Sequence, residues 1–317
     1  MNRDEPFRIS RRHALRSGLA AMAGFASLRP AWTANAASES LSLITKTIPA
    51  SGEQLPAIGL GTDKFSVGDA DAIRAEIQRM QQLGGKVIDT AAAYGDSESL
   101  IGESLAALGS RDRMFIATKL TQSGAGFRGG GVGGAPSFDR SLVRLKTARV
   151  DLLQVHNLDG VDELMPLLQK LKQAGRIRYI GITTSRVSQH EEMLGFMRKH
   201  PLDFIQVDYS LANRDAARKV LPLAIERRMA VLANIPFGFG AVLRQAQSRK
   251  LPAWAADIDV STWGQFLLKY VISHPAVTCA IPGSTQVAHL EDNQRAARGR
   301  LPDEAMRQKM EQFWDAA

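Results

Sequence analysis

An acid, a phenol, an ammonium and an imidazole each stand where a short hydrophobic run of this chain stops. Asp89 and Tyr94 lie in the stretch Asp89-Thr-Ala-Ala-Ala-Tyr94-Gly95, Lys119 ends the run Met114–Lys119, and His156 ends the run Val150–His156. In a barrel of parallel strands such run ends form the rim, where side chains distant in sequence converge. Brought together there, the four groups are equipped for proton transfer at neutral pH. Taken singly, each has a plainer reading: Asp89 and Lys119 as a rim ion pair, Tyr94 as a packing aromatic, His156 as a strand-end hydrogen bonder. Their order and shared context favour catalysis. The six His show no ligand spacing such as HExxH, so no metal site is expected.

The elements that must position these groups are legible as an alternation. Apolar runs at Leu55–Thr62, Lys86–Thr90, Met114–Lys119, Val150–His156, Tyr179–Thr183, Phe204–Tyr209, Ala230–Pro236 and Val277–Gly283 are continuous, as in strands buried on both faces. Between them fall helical stripes, Ile73/Ile77/Met80 and Leu164/Leu167/Leu168/Leu171. Asp69 and Ser137 are expected N-caps, and Gly84 and Gly175 stand where C-terminal caps belong. Eight strand–helix units with no change of composition predict one α/β domain, a single (β/α)8 TIM barrel over residues 37–317. No GxGxxG or GxxxxGK[ST] opens a helix, which counts against a Rossmann or P-loop domain. Ser42–Ile48 and Leu55–Leu60 flank the turn signal Ala50-Ser51-Gly52-Glu53, so a β-hairpin should lead into the barrel and cover its N-terminal end. Thr121–Pro136, with seven Gly in sixteen residues, and Gly238–Asp259 are too long for simple turns. Both follow strands and are expected as long loops over the C-terminal rim.

Composition narrows the class. The chain has 317 residues, 44% of them hydrophobic, which is ample for a core. Its net charge is +8, but residues 1–36 carry six Arg against Asp4 and Glu5, leaving only +4 for residues 37–317. No basic cluster interleaved with aromatics occurs there, so nucleic acid is not an expected partner. Ser10-Arg11-Arg12-His13-Ala14-Leu15-Arg16, the mildly apolar run Gly18–Leu28 and the small residues Ala34-Asn35-Ala36 have the anatomy of an export signal. The paired arginines resemble the twin-arginine type, with cleavage after Ala36, the export machinery as a partner and a periplasmic destination. The apolar run is too short for a stable membrane anchor. The lone Cys279 sits in an apolar run and reads as core.

The residues resemble a family, the aldo-keto reductases. The resemblance is carried by Asp89-Thr-Ala-Ala-Ala-Tyr94-Gly95-Asp-Ser-Glu98-Ser-Leu-Ile-Gly102, by Ser141-Leu142-Val-Arg-Leu145 leading to Val150-Asp151-Leu152 and His156, and by Ile281-Pro282-Gly283-Ser284-Thr285. It implies reduction of a small carbonyl substrate, an aldehyde or ketone, by hydride from NADPH, with NADH possible. No side chain supplies a hydride, so a nicotinamide coenzyme is chemically required as well. A phenol ionises near pH 10, too high for an efficient shuttle at neutrality, and a neighbouring ammonium lowers that value. In this reading Tyr94 donates the proton, Lys119 tunes it, Asp89 holds Lys119, and His156 orients the carbonyl.

Carried over from the family, the coenzyme positions are Gly61, Thr62, Thr183, Thr184, Gln206, Asn234, Pro236, Phe237, Gly283, Ser284, Thr285, His289, Asp292 and Asn293. There are three departures from its pattern. Thr183-Thr184 replaces a usual Ser-Asn, Asn234 stands where an aromatic often stacks on the nicotinamide, and His289 replaces a frequent Arg. Phe237 or Phe239 could substitute for the ring, and Arg244 or Arg295 for the charge that recognises a 2′-phosphate. Phe65, Phe127, Trp254 and Trp263 are candidates for an apolar substrate pocket, Trp263 reading more naturally as core. Two other readings fit the same residues: an exported nucleotide-binding sensor module with little turnover, and an alcohol or sugar dehydrogenase running the reaction backwards.

Overall fold

A computed structural model of the chain describes residues 41–124 and 133–316. The expected export signal at residues 1–36, Phe127 and most of the glycine run lie outside the described residues.

The apolar runs form eight parallel strands hydrogen-bonded in chain order: β3 (Leu60–Gly61), β4 (Val87–Asp89), β5 (Phe115–Leu120), β6 (Val150–Val155), β7 (Ile177–Thr183), β8 (Phe204–Asp208), β9 (Ala230–Asn234) and β10 (Val277–Ala280). Parallel bridges Ile58↔Ala280 and Gly61↔Gly283 return β10 to the first strand and close the barrel. At this seam a Cβ on Gly61 would lie 2.8 Å from the Ile281 carbonyl oxygen, so only glycine lets the backbones meet. The chain is thus a (β/α)8 barrel, as the alternation predicts. Register sets which side chains share the interior: Gly61 pairs with Asp89, Asp89 with Ala117, Lys119 with Gln154, Gln154 with Gly181, and Thr183 with Gln206.

The expected hairpin is β1 (Thr45–Thr47) paired antiparallel with β2 (Gln54–Pro56). Its Ile48 and Leu55 are fully buried with Val87, Phe115, Tyr179, Phe204 and Cys279, at the strands' N-terminal ends. Tyr179 donates its hydroxyl to Ser51 Oγ at 2.7 Å, and Arg178 pairs with Glu53, so polar contacts fasten the plug. Burial pushes the Cys279 thiol up, which suits an inert core residue.

Helices cover the outside. α1 (Ala70–Gln82) buries Ile73, Ile77 and Met80, and α4 (Val161–Gln173) buries Leu164, Leu168 and Leu171. Gly84 (φ +87°) and Gly175 (φ +69°) take the left-handed conformation just past these helices, where a side chain would strain the backbone. Asp69 occupies the N-cap position of α1 without a side-chain capping bond. Ser137 is not a cap. α3 runs Gly134–Arg144 and contains it, because Pro136 falls in the first turn, where a missing N–H leaves no helical bond unmade. Gly238–Asp259 is also not an open loop, since it folds α7 (Ala241–Gln247) and a 3-10 segment at Ala253–Ile258.

α2 (Ser97–Ala107) shows why the Tyr94 motif runs on to a glycine. A Cβ on Gly102 would lie 2.2 Å from the Arg144 carbonyl oxygen and 2.8 Å from the Leu145 carbonyl carbon. Gly102→Ala is expected to destabilise the fold by about 1–3 kcal/mol through overpacking, read as a lower Tm with coenzyme affinity unchanged.

Candidate active site

The four polar strand-end residues converge. Asp89 and Lys119 are buried at 2% and 1% exposure, so their charges have to satisfy each other. Lys119 Nζ donates to Asp89 Oδ2 at 2.6 Å, to the Thr90 carbonyl at 2.9 Å and to the Tyr94 hydroxyl at 3.4 Å. The Tyr94 and His156 rings meet edge to face with centroids 5.7 Å apart. The geometry follows from register: Lys119 lies two residues beyond Ala117, the partner of Asp89, and so points to the same interior face.

Burial alone would lower the Lys119 pKa, but the Asp89 carboxylate and the Tyr94 phenol outweigh it and hold the amine charged. For Tyr94, burial is the largest influence and pushes the phenol up. Lys119 pulls it down, without overcoming burial in the free groove. The expectation that the ammonium alone brings the phenol toward neutrality is corrected accordingly: Tyr94 is a protonated acid here. His156 is held down to about 3, first by burial and then by the Lys119 charge, so its imidazole is neutral and serves as an orienting hydrogen-bond group. This has a sign in stability. Between pH about 6.5 and 3 the unfolded chain binds a proton at this residue that the folded chain does not, so stability falls as pH drops through that window. His156→Gln is expected to flatten that part of the stability–pH curve, measured by denaturant melts from pH 7 to pH 4.

Residues behind the four hold the strands in place. Thr62 Oγ1 donates to the Asp89 carbonyl at 2.9 Å, and Ser97 Oγ donates to Thr62 at 2.7 Å. Glu98, 1% exposed, accepts from Thr118 at 2.6 Å and from two Arg144 nitrogens at 2.8 and 2.6 Å. The two most specific sequence motifs therefore meet in one half-buried ion pair, with two Arg144 nitrogens on Glu98 Oε2, beside the strand that carries Lys119.

Above the four lies a cavity of about 750 Å³, large enough for a dinucleotide's reactive half and a small substrate. Of the carried-over coenzyme positions, Gly61, Thr62, Thr183, Gln206, Asn234, Pro236, Phe237, Gly283, Ser284, Thr285, His289, Asp292 and Asn293 line it. Thr184 does not. It is fully buried, its hydroxyl donates to Gln189 at 2.6 Å, and Ser185 faces the cavity instead. The alternation of extended backbone accounts for the exchange, since Thr183 and Ser185 share a face that Thr184 cannot. Arg244 and Arg295 are outside the lining, and Arg295 reaches toward Glu291 at 3.9 Å.

Sequence reasoning missed Asp63, Lys64, Asn157 and Ser185. Lys64, two residues after Thr62, was the available signal for a groove cation; it pairs with Asp63 at 3.3 Å. Trp263 lines the cavity although it opens α8 (Trp263–Ser273), whereas Trp254 packs against Phe266 and Phe313 and Phe65 belongs to the core. Phe239, 72% exposed, borders the cavity at φ +53°.

The profile of the "Aldo/keto reductase family" matches residues 57–313. The chain belongs to that family. Methylglyoxal reductase YeaE of Escherichia coli strain K12 is 30% identical over 78% of this chain and 88% of its own length. Norsolorinic acid reductase B of Aspergillus parasiticus is 32% identical over 66% of this chain, but the match spans only 60% of that protein. An aldo/keto reductase from Klebsiella pneumoniae, solved in complex with NADP and acetate, superposes with a TM-score of 0.70 at 26% identity, covering 83% of this chain and 93% of its own. The Asp89, Tyr94, Lys119 and His156 cluster is the candidate active site of this aldo/keto reductase.

Proposed function

We propose that this aldo/keto reductase is an NADPH-dependent oxidoreductase that reduces aldehydes or ketones to alcohols. One observation carries the reading: a charged amine lies 3.4 Å from a protonated phenol at the floor of an open groove. The groove's donor set fits a nicotinamide dinucleotide. Gln206, Thr183 and Ser185 offer an amide and hydroxyls beside the catalytic four, as a carboxamide requires. Ser284 and Thr285 lie just ahead of α9 (Val287–Arg295), whose N-terminal amides favour a phosphate. Asp292 is fixed by Thr262 at 2.8 Å and Gln265 at 2.7 Å, suiting it to a ribose hydroxyl. The bound NADP of the Klebsiella relative supports the phosphorylated coenzyme.

When bound, the coenzyme supplies the hydride. The chain does the rest. Neutral His156 donates to the carbonyl oxygen and aligns it with Tyr94. The phenol passes its proton to the oxygen as negative charge develops there, and the Lys119 ammonium stabilises the phenolate left behind. Asp89 keeps that ammonium in place. Apolar Trp263 and Phe237 help exclude water from the groove. The test is a thermal-shift series with NADPH, NADH and no nucleotide, followed by turnover of a generic aldehyde. NADPH should raise the Tm most, and turnover should consume it.

The same proposal includes export. Residues 1–36 act as a cleavable twin-arginine signal, and residues 37–317 are the mature periplasmic enzyme, leaving the cytoplasm folded and with coenzyme bound. The support is the sequence of Ser10–Arg16 and the small residues before Ala37. Arg11→Lys/Arg12→Lys should abolish export, scored as loss of the processed form beginning at Ala37 from the periplasmic fraction. A processed form unaffected by that change would sink this part of the proposal.

A further inference from the structure

A glutamine in the barrel interior needs explaining. Gln154 lies in β6 between Leu153 and Val155, is fully buried, and does not line the groove. Its Oε1 has no hydrogen-bond partner, an arrangement that lowers stability relative to an apolar side chain of the same shape. Its neighbour on β7 is Gly181, where a Cβ would fall 3.0 Å from Gln154 Cγ and 3.0 Å from the Phe204 carbonyl oxygen. The barrel makes room for this side chain.

What the room serves is a closed ring of three groups. Gln154 Nε2 donates to Gln206 Oε1 at 2.9 Å and reaches Asp89 Oδ1 at 3.5 Å, while Gln206 Nε2 donates to Asp89 Oδ2 at 3.4 Å. An ionised carboxylate only accepts, so each amide facing Asp89 must present its nitrogen. That requirement orients both amides. Gln206 turns Nε2 to Asp89 and Oε1 to Gln154, leaving one N–H and one lone pair with a defined sense. Gln206 is the amide of the ring that borders the groove, beside Asp89.

We propose that Gln154 is a positioning residue: it locks the Gln206 amide in one of its two orientations and ties it to the carboxylate that holds Lys119. The inference rests on the coenzyme reading above, in which Gln206 meets the nicotinamide carboxamide. Recognition of that carboxamide and alignment of the proton donor then share one buried network. Without Gln154 the Gln206 amide keeps only its longer 3.4 Å bond to Asp89 and loses the 2.9 Å bond that fixes its Oε1, so it distinguishes a donor from an acceptor less sharply.

The test uses Gln154→Met, which conserves volume, and two coenzymes: NADPH and its 3-acetylpyridine analogue, whose methyl ketone keeps the carbonyl and lacks the N–H donors. Dissociation constants come from fluorescence titration, so no turnover is needed. In the parent protein NADPH should bind more tightly than the analogue. In Gln154→Met that preference should shrink by about tenfold, the size of one buried hydrogen bond. Gly181→Ala, which presses on Gln154 without altering it, should show a smaller shift in the same direction and serves if the Met variant does not fold. Equal weakening of both coenzymes, or an unchanged ratio, assigns Gln154 a packing role and overturns the proposal. Failure of the parent protein to bind either coenzyme would instead overturn the reading of the groove itself.

Discussion

Tyr94→Phe is expected to lower kcat for a small aldehyde by about a hundred- to ten-thousand-fold, with NADPH affinity changed by less than about twofold. Phenylalanine keeps the ring that meets His156 edge to face and removes only the hydroxyl that Lys119 addresses at 3.4 Å. The loss therefore belongs to the step in which a proton reaches the developing alkoxide, since positioning of the substrate by His156 is untouched. A measured split, with kcat collapsing and the coenzyme Kd preserved, identifies Tyr94 as the acid. Loss of coenzyme binding in parallel would make it a groove-lining aromatic instead.

Lys119→Met should have two separable effects. Asp89 and Lys119 have side chains 3% and 1% exposed and lie 2.6 Å apart, so removing the amine strands a carboxylate that burial already pushes up. Breaking such a pair costs about 3–5 kcal/mol, which chemical denaturation would show as a lower midpoint at unchanged m-value. Activity should fall with it, because the Tyr94 phenolate loses its counter-charge. The double variant Asp89→Leu/Lys119→Met removes both charges and should recover most of the stability while recovering none of the activity. Stability and turnover that rise together in the double variant would mean that the pair is structural and that the chemistry lies elsewhere.

Much of this arrangement was readable from residue order because the barrel converts sequence position into spatial position. A polar residue ending an apolar run becomes a rim residue, which is why the sequence alone places Asp89, Lys119 and His156 together. Burial balance was not readable. The phenol of Tyr94 is pushed up on balance, a result of how closely its surroundings exclude water and not of the charge beside it. Thr184 is not legible as a buried residue from its motif, because after β7 Thr183 and Ser185 face the groove while the Thr184 hydroxyl turns away to Gln189. Arg244, in the long segment over the rim, and Arg295 carry the charge a 2′-phosphate needs but stand outside the lining, while Lys64, two residues after Thr62, is in the groove. Gln154 escaped notice because a single amide in an apolar run has no motif. Its role is visible only once register places it beside Gly181 and across from Gln206. Ser137 misleads because a serine three residues past a helix start has the same local signature as a cap.

The most direct measurement is a single turnover. Purified protein preloaded with one equivalent of NADPH is mixed with excess aldehyde, and the absorbance of reduced nicotinamide is followed alongside the alcohol formed. Disappearance of the reduced coenzyme, matched mole for mole by alcohol and abolished in Tyr94→Phe, is the predicted result. Tightly held NADPH that stays reduced against a panel of aldehydes and ketones would contradict it, leaving a barrel that binds nucleotide without performing the reduction.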